Sequence, residues 1–225
     1  MHVSHETMYE TLFVQARGDC RTQLTLALRS GRTTRVPAGS TRPTQARIAE
    51  MVLISQRPAE ATDRAVPGPW ESDVIVGARG AAHILTWVQR STRFVLLPKI
   101  PDDRRADRVA LLLGDCVQRL PTELWRSMTH DHGVDMADHA HVTLKTNIPV
   151  FFCEPHSPWQ RGSNDNTNRL LRQYVPTGTD LSVHSQADLD AITAKLNSRP
   201  RETLDWRTPT EALNEYLTSN NALTS

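Results

Sequence analysis

A chain of 225 residues, 38% hydrophobic and 5% aromatic, has room for one full α/β domain of about 150 residues plus a smaller piece. A formal net charge of +1 excludes a uniformly basic nucleic-acid coat, and the scattered Cys20, Cys116 and Cys153 signal neither a disulfide framework nor a zinc site. No apolar run approaches the roughly 18 residues of a membrane span, and there is no signal-peptide pattern, so a cytoplasmic protein with no membrane partner is expected.

The first residues, Val3-Ser4-His5-Glu6-Thr7-Met8-Tyr9, read as a helix start. Ser4 is a good N-cap, Glu6 suits the positive end of the helix dipole, and Val3 and Met8 have the spacing of a hydrophobic staple. Residues 17–47 then hold seven arginines against one acid, Asp19, hence +6, which reads as a solvated arm able to touch phosphates. Residues 29–68 are rich in Arg, Thr, Pro and Gly with no sustained period, the pattern of a linker. The chain is therefore divided into residues 1–28, a basic linker over 29–58, and a main domain over 59–220.

Three apolar runs follow at hairpin spacing, residues 71–76, 83–88 and 94–100, and predict an antiparallel meander. Residues 102–120 form an amphipathic helix pattern with Ala106, Val109, Ala110, Leu113 and Val117 on one side. A short strand at 127–130, a short helix at 136–144 and a strand at 148–153 come next. Residues 157–174 predict a helix with Pro158 in its first turn and Leu170, Leu171 and Tyr174 as its buried stripe. Arg161, Asp165, Arg169 and Arg172 fall at i, i+4, i+8 and i+11, on one shared face. Helices over 186–196 and 210–217 flank Ser198-Arg199-Pro200-Arg201. A meander followed by strands alternating with helices gives an α/β mixed sheet flanked by helices.

Three acids stand out. Asp73 ends Trp70-Glu71-Ser72-Asp73 at the head of an apolar run, Asp131 sits in His130-Asp131-His132-Gly133, and 33 residues separate Asp131 from Asp165. Glu71 is set apart from these as facing the other side of its strand. By spacing alone Asp165 reads as part of a solvated face, its ion pairs worth a few tenths of a kcal/mol each. The cluster His130, His132, His139 and His141 matches no usual zinc spacing and reads as structural. What changes the weighting is the longer pattern. Trp70-Glu71-Ser72-Asp73, Asp131-His132-Gly133 and Ser157-Pro158-Trp159-Gln160-Arg161-Gly162-Ser163-Asn164-Asp165-Asn166-Thr167-Asn168 together resemble the insertion-sequence-thirty family of integrase-type transposases. The likeness runs from Val3 to about Leu217.

That resemblance implies a ribonuclease-H-like integrase core. It implies a catalytic, metal-holding trio of Asp73, Asp131 and Asp165 for Mg²⁺ or Mn²⁺. It also implies a DNA-contacting set of Trp159, Gln160, Arg161, Asn164, Arg172, Arg199 and Arg201, although Trp159 fits a core position equally well. The implied activity is DNA strand cleavage and strand transfer on double-stranded DNA, both transposon ends and target, by a nucleoid-associated homo-oligomer. Residues 3–9 correspond to the recognition helix of a helix-turn-helix whose supporting helices are expected to be missing, which makes residues 1–28 an incomplete remnant of a DNA-reading region. Two alternatives stay open: a catalytically degenerate remnant that binds DNA or pairs with an intact transposase, and a nuclease acting on RNA–DNA hybrids. Departures gather near the acids. Asp165 stands for Glu, which shortens the reach by roughly 1.5 Å. Arg169 stands for Gly, one turn beyond Asp165 and placed to pair with it. Ser72 replaces Gly, His132 replaces Arg or Asn, Asp135 replaces Glu, and Glu202 replaces Lys.

Overall fold

The computed structural model describes residues 51–57, 67–80, 82–100, 106–131, 133, 136, 139–155 and 157–223. The chain divides into two compact units, Met1–Pro43 and Thr44–Ser225, and the described residues belong to the second. The predicted helix at 3–9 and the arm at 17–47 lie outside the described residues, as do His132 and Asp135.

Six strands form one sheet: β1 (Pro69–Val76), β2 (His83–Gln89), β3 (Val95–Leu96), β4 (Lys99–Ile100), β5 (Ser127–His130) and β6 (Val150–Phe152). Their order is β3-β2-β1-β5-β6, with β4 also paired to β2. β1 runs antiparallel to β2 and parallel to β5, which is parallel to β6. Every residue of β2 is buried, as expected of a strand covered on both faces. The predicted strand over 94–100 is instead two short pieces. Pro98 lies between them and has no N–H to give to a ladder, though its carbonyl still accepts from the Leu85 N–H at 3.0 Å.

Among the described residues five α-helices accompany the sheet: α1 (Ala106–Val117), α2 (His139–Thr146), α3 (Gly162–Leu171), α4 (Gln186–Asn197) and α5 (Pro209–Leu223). Alternation along the strands sends successive side chains to opposite faces. Leu85 and Trp87 join Trp70, Leu113, Trp125, Met128 and Phe152 in one core, while Ile84 and Val88 join Ile75, Leu170, Leu171, Leu189 and Leu196 in the other. In the first core the rings of Trp70 and Trp125 stack with centroids 4.4 Å apart, and the Trp70 indole donates to the Leu124 carbonyl. α4 begins at a capping box in which Ser185 and Asp188 serve each other's backbone N–H, the arrangement that fixes a helix start sharply. No helix among the described residues is long and apolar enough to cross a membrane.

Two differences from the sequence reading bear on the site. Residues 51–57, read as linker, already pack on the sheet: Leu53 bridges Phe152 in parallel, and buried Arg57 donates to Thr129 Oγ1 at 3.1 Å. The helix predicted over 157–174 is a 3₁₀ turn, Pro158–Arg161, followed by α3. Arg161 is the N-cap of α3, at φ −116° and ψ 34°, so it leaves the helical lattice that would have aligned it with Asp165.

Candidate active site

The parallel register of β1 and β5 matches Glu71 with Thr129, so two residues further along both chains Asp73 comes level with Asp131. Each carboxylate is about a quarter exposed, at 23% and 22%. Asp73 is held by the Val74 N–H on Oδ1 at 3.0 Å and by Asn168 Nδ2 on Oδ2 at 2.9 Å. Asp131 accepts from the Gly133 N–H at 2.9 Å, with His130 Nε2 at 3.4 Å from the same oxygen. Buried His130 in turn shares a hydrogen bond with Ser72 Oγ.

Between the two carboxylates lies Arg161. Its Nη1 is 3.4 Å from Asp73 Oδ1 and its Nη2 is 3.4 Å from Asp131 Oδ2, and Nη1 also donates to the Ser72 carbonyl at 3.1 Å. Burial pushes the Asp73 carboxyl above its usual range and Asp131 adds to this, with Arg161 and His130 opposing. Burial disfavours the Arg161 charge, but Asp73, Asp131, Cys153 and Asp165 outweigh it and raise its pKa. Burial also lifts the neighbouring Cys153 thiol to about 11. Two carboxylates and the guanidinium between them leave a net charge of −1; Asp165 acts on Arg161 and Asp73 on Arg172, which adds one further charge of each sign.

Asp165 lies in the first turn of α3, partly buried, and its charge is felt at Arg161. Among the described residues no three His, Cys, Asp or Glu side chains are gathered as metal ligands. The expected meeting of three acids is a meeting of two, with the third reaching them through Arg161. Arg169, one turn further along α3, is exposed.

Beneath the acids is a second charged group that the sequence reading misplaced. Glu71 does not face away from Asp73, because residues two apart on a strand share a face. It is wholly buried and bonded to Arg90 Nε at 2.9 Å. Its other oxygen accepts from the Asn164 backbone N–H at 2.9 Å, where the positive end of the α3 dipole favours an anion. Asn164, expected at DNA, is likewise wholly buried. Its side-chain amide donates to the carbonyls of Glu71 and Thr86, and its oxygen accepts from Thr86 Oγ1. It ties α3 to β1 and β2. The period-two spacing from Asp73 was the signal that could have placed Glu71 correctly.

The remaining expected DNA contacts divide. Trp159 is 73% exposed, which removes the core reading for it. Gln160 accepts from the Glu154 N–H at 2.7 Å. Arg161 is 7% exposed and committed to the acids. Burial lowers the pKa of Arg172 while the charge of Asp73 opposes, and Arg172 Nη1 donates to the Val175 carbonyl at 3.5 Å. Arg199 is held by Gln173 Oε1 and Tyr174 Oη at 2.9 and 3.2 Å, and Arg201 donates to the Leu196 carbonyl at 3.1 Å. These two arginines brace the chain after α4 against the end of α3 and against α4 itself.

The same architecture occurs in solved structures. The catalytic core domain of BIV integrase superposes with a TM-score of 0.50 over 70% of this chain and 98% of that one, at 20% identity. A chain of the simian T-cell lymphotropic virus intasome in complex with PP2A regulatory subunit B56 gamma gives 0.54 over 65% and 54%, at 16% identity. The fold is thus the ribonuclease-H-like integrase core. No family model matches the sequence, but individual relatives do. Identity is 46% over 217 residues to the transposase for insertion sequence element IS1086 of Cupriavidus metallidurans, covering 96% of this chain and 64% of that protein. It is 36% over 218 residues to transposase InsI for insertion sequence element IS30A of Escherichia coli K12, covering 95% and 56%. The chain belongs to the IS30 family of transposases, and it spans less than two thirds of the length of these two relatives.

Proposed function

We propose that the chain carries out metal-dependent cleavage and transfer of DNA strands, with Asp73, Asp131 and Asp165 as the carboxylates of the site. The observation that carries this reading is the pairing of Asp73 and Asp131 on adjacent parallel strands, partly open to solvent and with the Arg161 guanidinium between them. An all-oxygen donor set with residual negative charge suits a hard cation, so Mg²⁺ or Mn²⁺ fits the residues present. When bound, such ions activate the attacking oxygen and stabilise the leaving oxygen of an in-line displacement at phosphorus.

The chain's own residues do the positioning. Asn168 and the Val74 N–H orient Asp73, and the Gly133 N–H orients Asp131. Asp165 closes the set from α3. Trp159 and Gln160, on the turn beside the acids, and Arg172 at the end of α3 face the duplex, and the basic arm over 17–47 adds non-specific grip on its phosphates. The substrate is double-stranded DNA at transposon ends and target, worked on by a homo-oligomer at the nucleoid. Supercoiled plasmid nicking in Mg²⁺ or Mn²⁺ tests the reading. The wild type should nick, and Asp73→Asn and Asp131→Asn should each abolish it; variants that nick like the wild type would sink it.

A second reading is favoured by the shorter Asp165 and the missing three-way cluster: a degenerate member that keeps DNA binding or pairing with an intact transposase but has lost cleavage. It expects metal-independent DNA binding and no nicking at any metal concentration.

A further inference from the structure

The Arg161 guanidinium occupies the space between the carboxylates that the preceding reading assigns to metal. We infer that Arg161 is the resident counter-cation of the Asp73–Asp131 pair, and that a divalent ion must displace it to bind. This inference rests on that metal reading. Three features make the arginine displaceable. Both contacts to carboxylate are single, at 3.4 Å, well beyond the roughly 2.7–2.9 Å of a strong charge-assisted bond. The Arg161 side chain is 8% exposed while those of the acids are about a quarter exposed, so an incoming ion meets the carboxylates from the solvent side. Arg161 also sits at the joint between the 3₁₀ turn and α3, with Gly162 next. There its backbone stands outside the helical row, at φ −116° and ψ 34°.

The charge count explains why the arginine is present at all. Without Arg161, the carboxylates of Asp73 and Asp131 would lie level on adjacent strands with no guanidinium between them. Arg161 relieves this by one unit of charge. A cation within about 4–6 Å shifts a carboxylate's proton affinity by one to three pKa units, and it weakens a competing cation on the same oxygens comparably. Metal affinity is therefore set by Arg161 as much as by the acids.

The test is Mn²⁺ binding to the full chain, followed by the electron paramagnetic resonance of the free ion, for the wild type, Arg161→Gln and Asp73→Asn. Arg161→Gln should bind Mn²⁺ roughly tenfold or more tightly than the wild type, melt lower without metal, and gain more in melting temperature when metal is added. Equal or weaker Mn²⁺ binding by a folded Arg161→Gln overturns the inference and leaves the metal reading standing, provided Asp73→Asn loses the ion. If neither the wild type nor Arg161→Gln binds Mn²⁺, the metal reading fails and this inference falls with it. Should Arg161→Gln not fold, the wild type carries the test through Trp159, two residues before Arg161 on the same turn. Saturation with Mg²⁺ should change the Trp159 emission, isolated by subtracting Trp159→Phe. No change at saturation overturns the displacement.

Discussion

The Asn164 backbone N–H donates to Glu71 Oε2 at 2.9 Å while its side-chain amide donates to the Glu71 carbonyl at 3.0 Å. The first turn of α3 is thereby fixed to β1, two residues before Asp73. Asn164→Ala keeps the backbone bond but strips three side-chain bonds: the Thr86 hydroxyl keeps only the Asp73 carbonyl as acceptor, and the carbonyls of Glu71 and Thr86 lose the amide donor. At about 1 kcal/mol net per bond, and more for a group left unsatisfied, the loss should be about 3 kcal/mol. Urea denaturation measures it; a loss below about 0.5 kcal/mol would contradict the bracing role.

Trp159 should separate stability from binding. At 73% exposure its replacement by Ala should leave folding stability within about 0.5 kcal/mol. Affinity for duplex DNA, measured by anisotropy, should fall several-fold. Unchanged affinity would remove Trp159 from the DNA face.

Cys116, in α1 and away from the acids, gives a pH dependence. Burial lifts its thiol from 9.0 to about 11, so the folded state keeps a proton that the unfolded chain releases near pH 9. Its contribution is present below pH 9 and is lost as pH rises from 9 toward 11, amounting to about 2–3 kcal/mol at about 1.4 per unit. Cys116→Ala should flatten the fall in stability over that window. An identical slope in the variant would show that Cys116 does not titrate as described.

Asp165→Glu should raise Mg²⁺-dependent nicking, because the longer side chain extends toward Asp73 and Asp131. Since Arg169 is exposed and an exposed i, i+4 pair is worth only about 0.3–0.5 kcal/mol, adding Arg169→Gly should change little, with a coupling under about 0.5 kcal/mol. A large gain only in the double variant would mean that Arg169 restrains Asp165 after all.

Much of this arrangement is legible in the sequence. The strands β1, β2 and β5 and the start of α4 fall where local pattern puts them, because each is a short segment with clear ends. The acids stand out through the motifs around them. Hidden from the pattern is the change from 3₁₀ to α at Gly162, which rotates Arg161 off the expected face and in between the acids. Asn164 also misleads, since a short polar side chain in a polar run reads as surface when a buried Glu71 below it satisfies its backbone. The break at Pro98 and the docking of Leu53 on Phe152 depend on long-range pairing, which no local window contains.

The central claim, that Asp73 and Asp131 form a metal-holding pair, is tested most directly by anomalous diffraction from crystals grown with Mn²⁺. A peak should lie between the two carboxylates, within roughly 2.0–2.3 Å of an oxygen from each, with the Arg161 guanidinium moved off both. A Mn²⁺ peak elsewhere on the surface, with Arg161 still bridging Asp73 and Asp131, would contradict it.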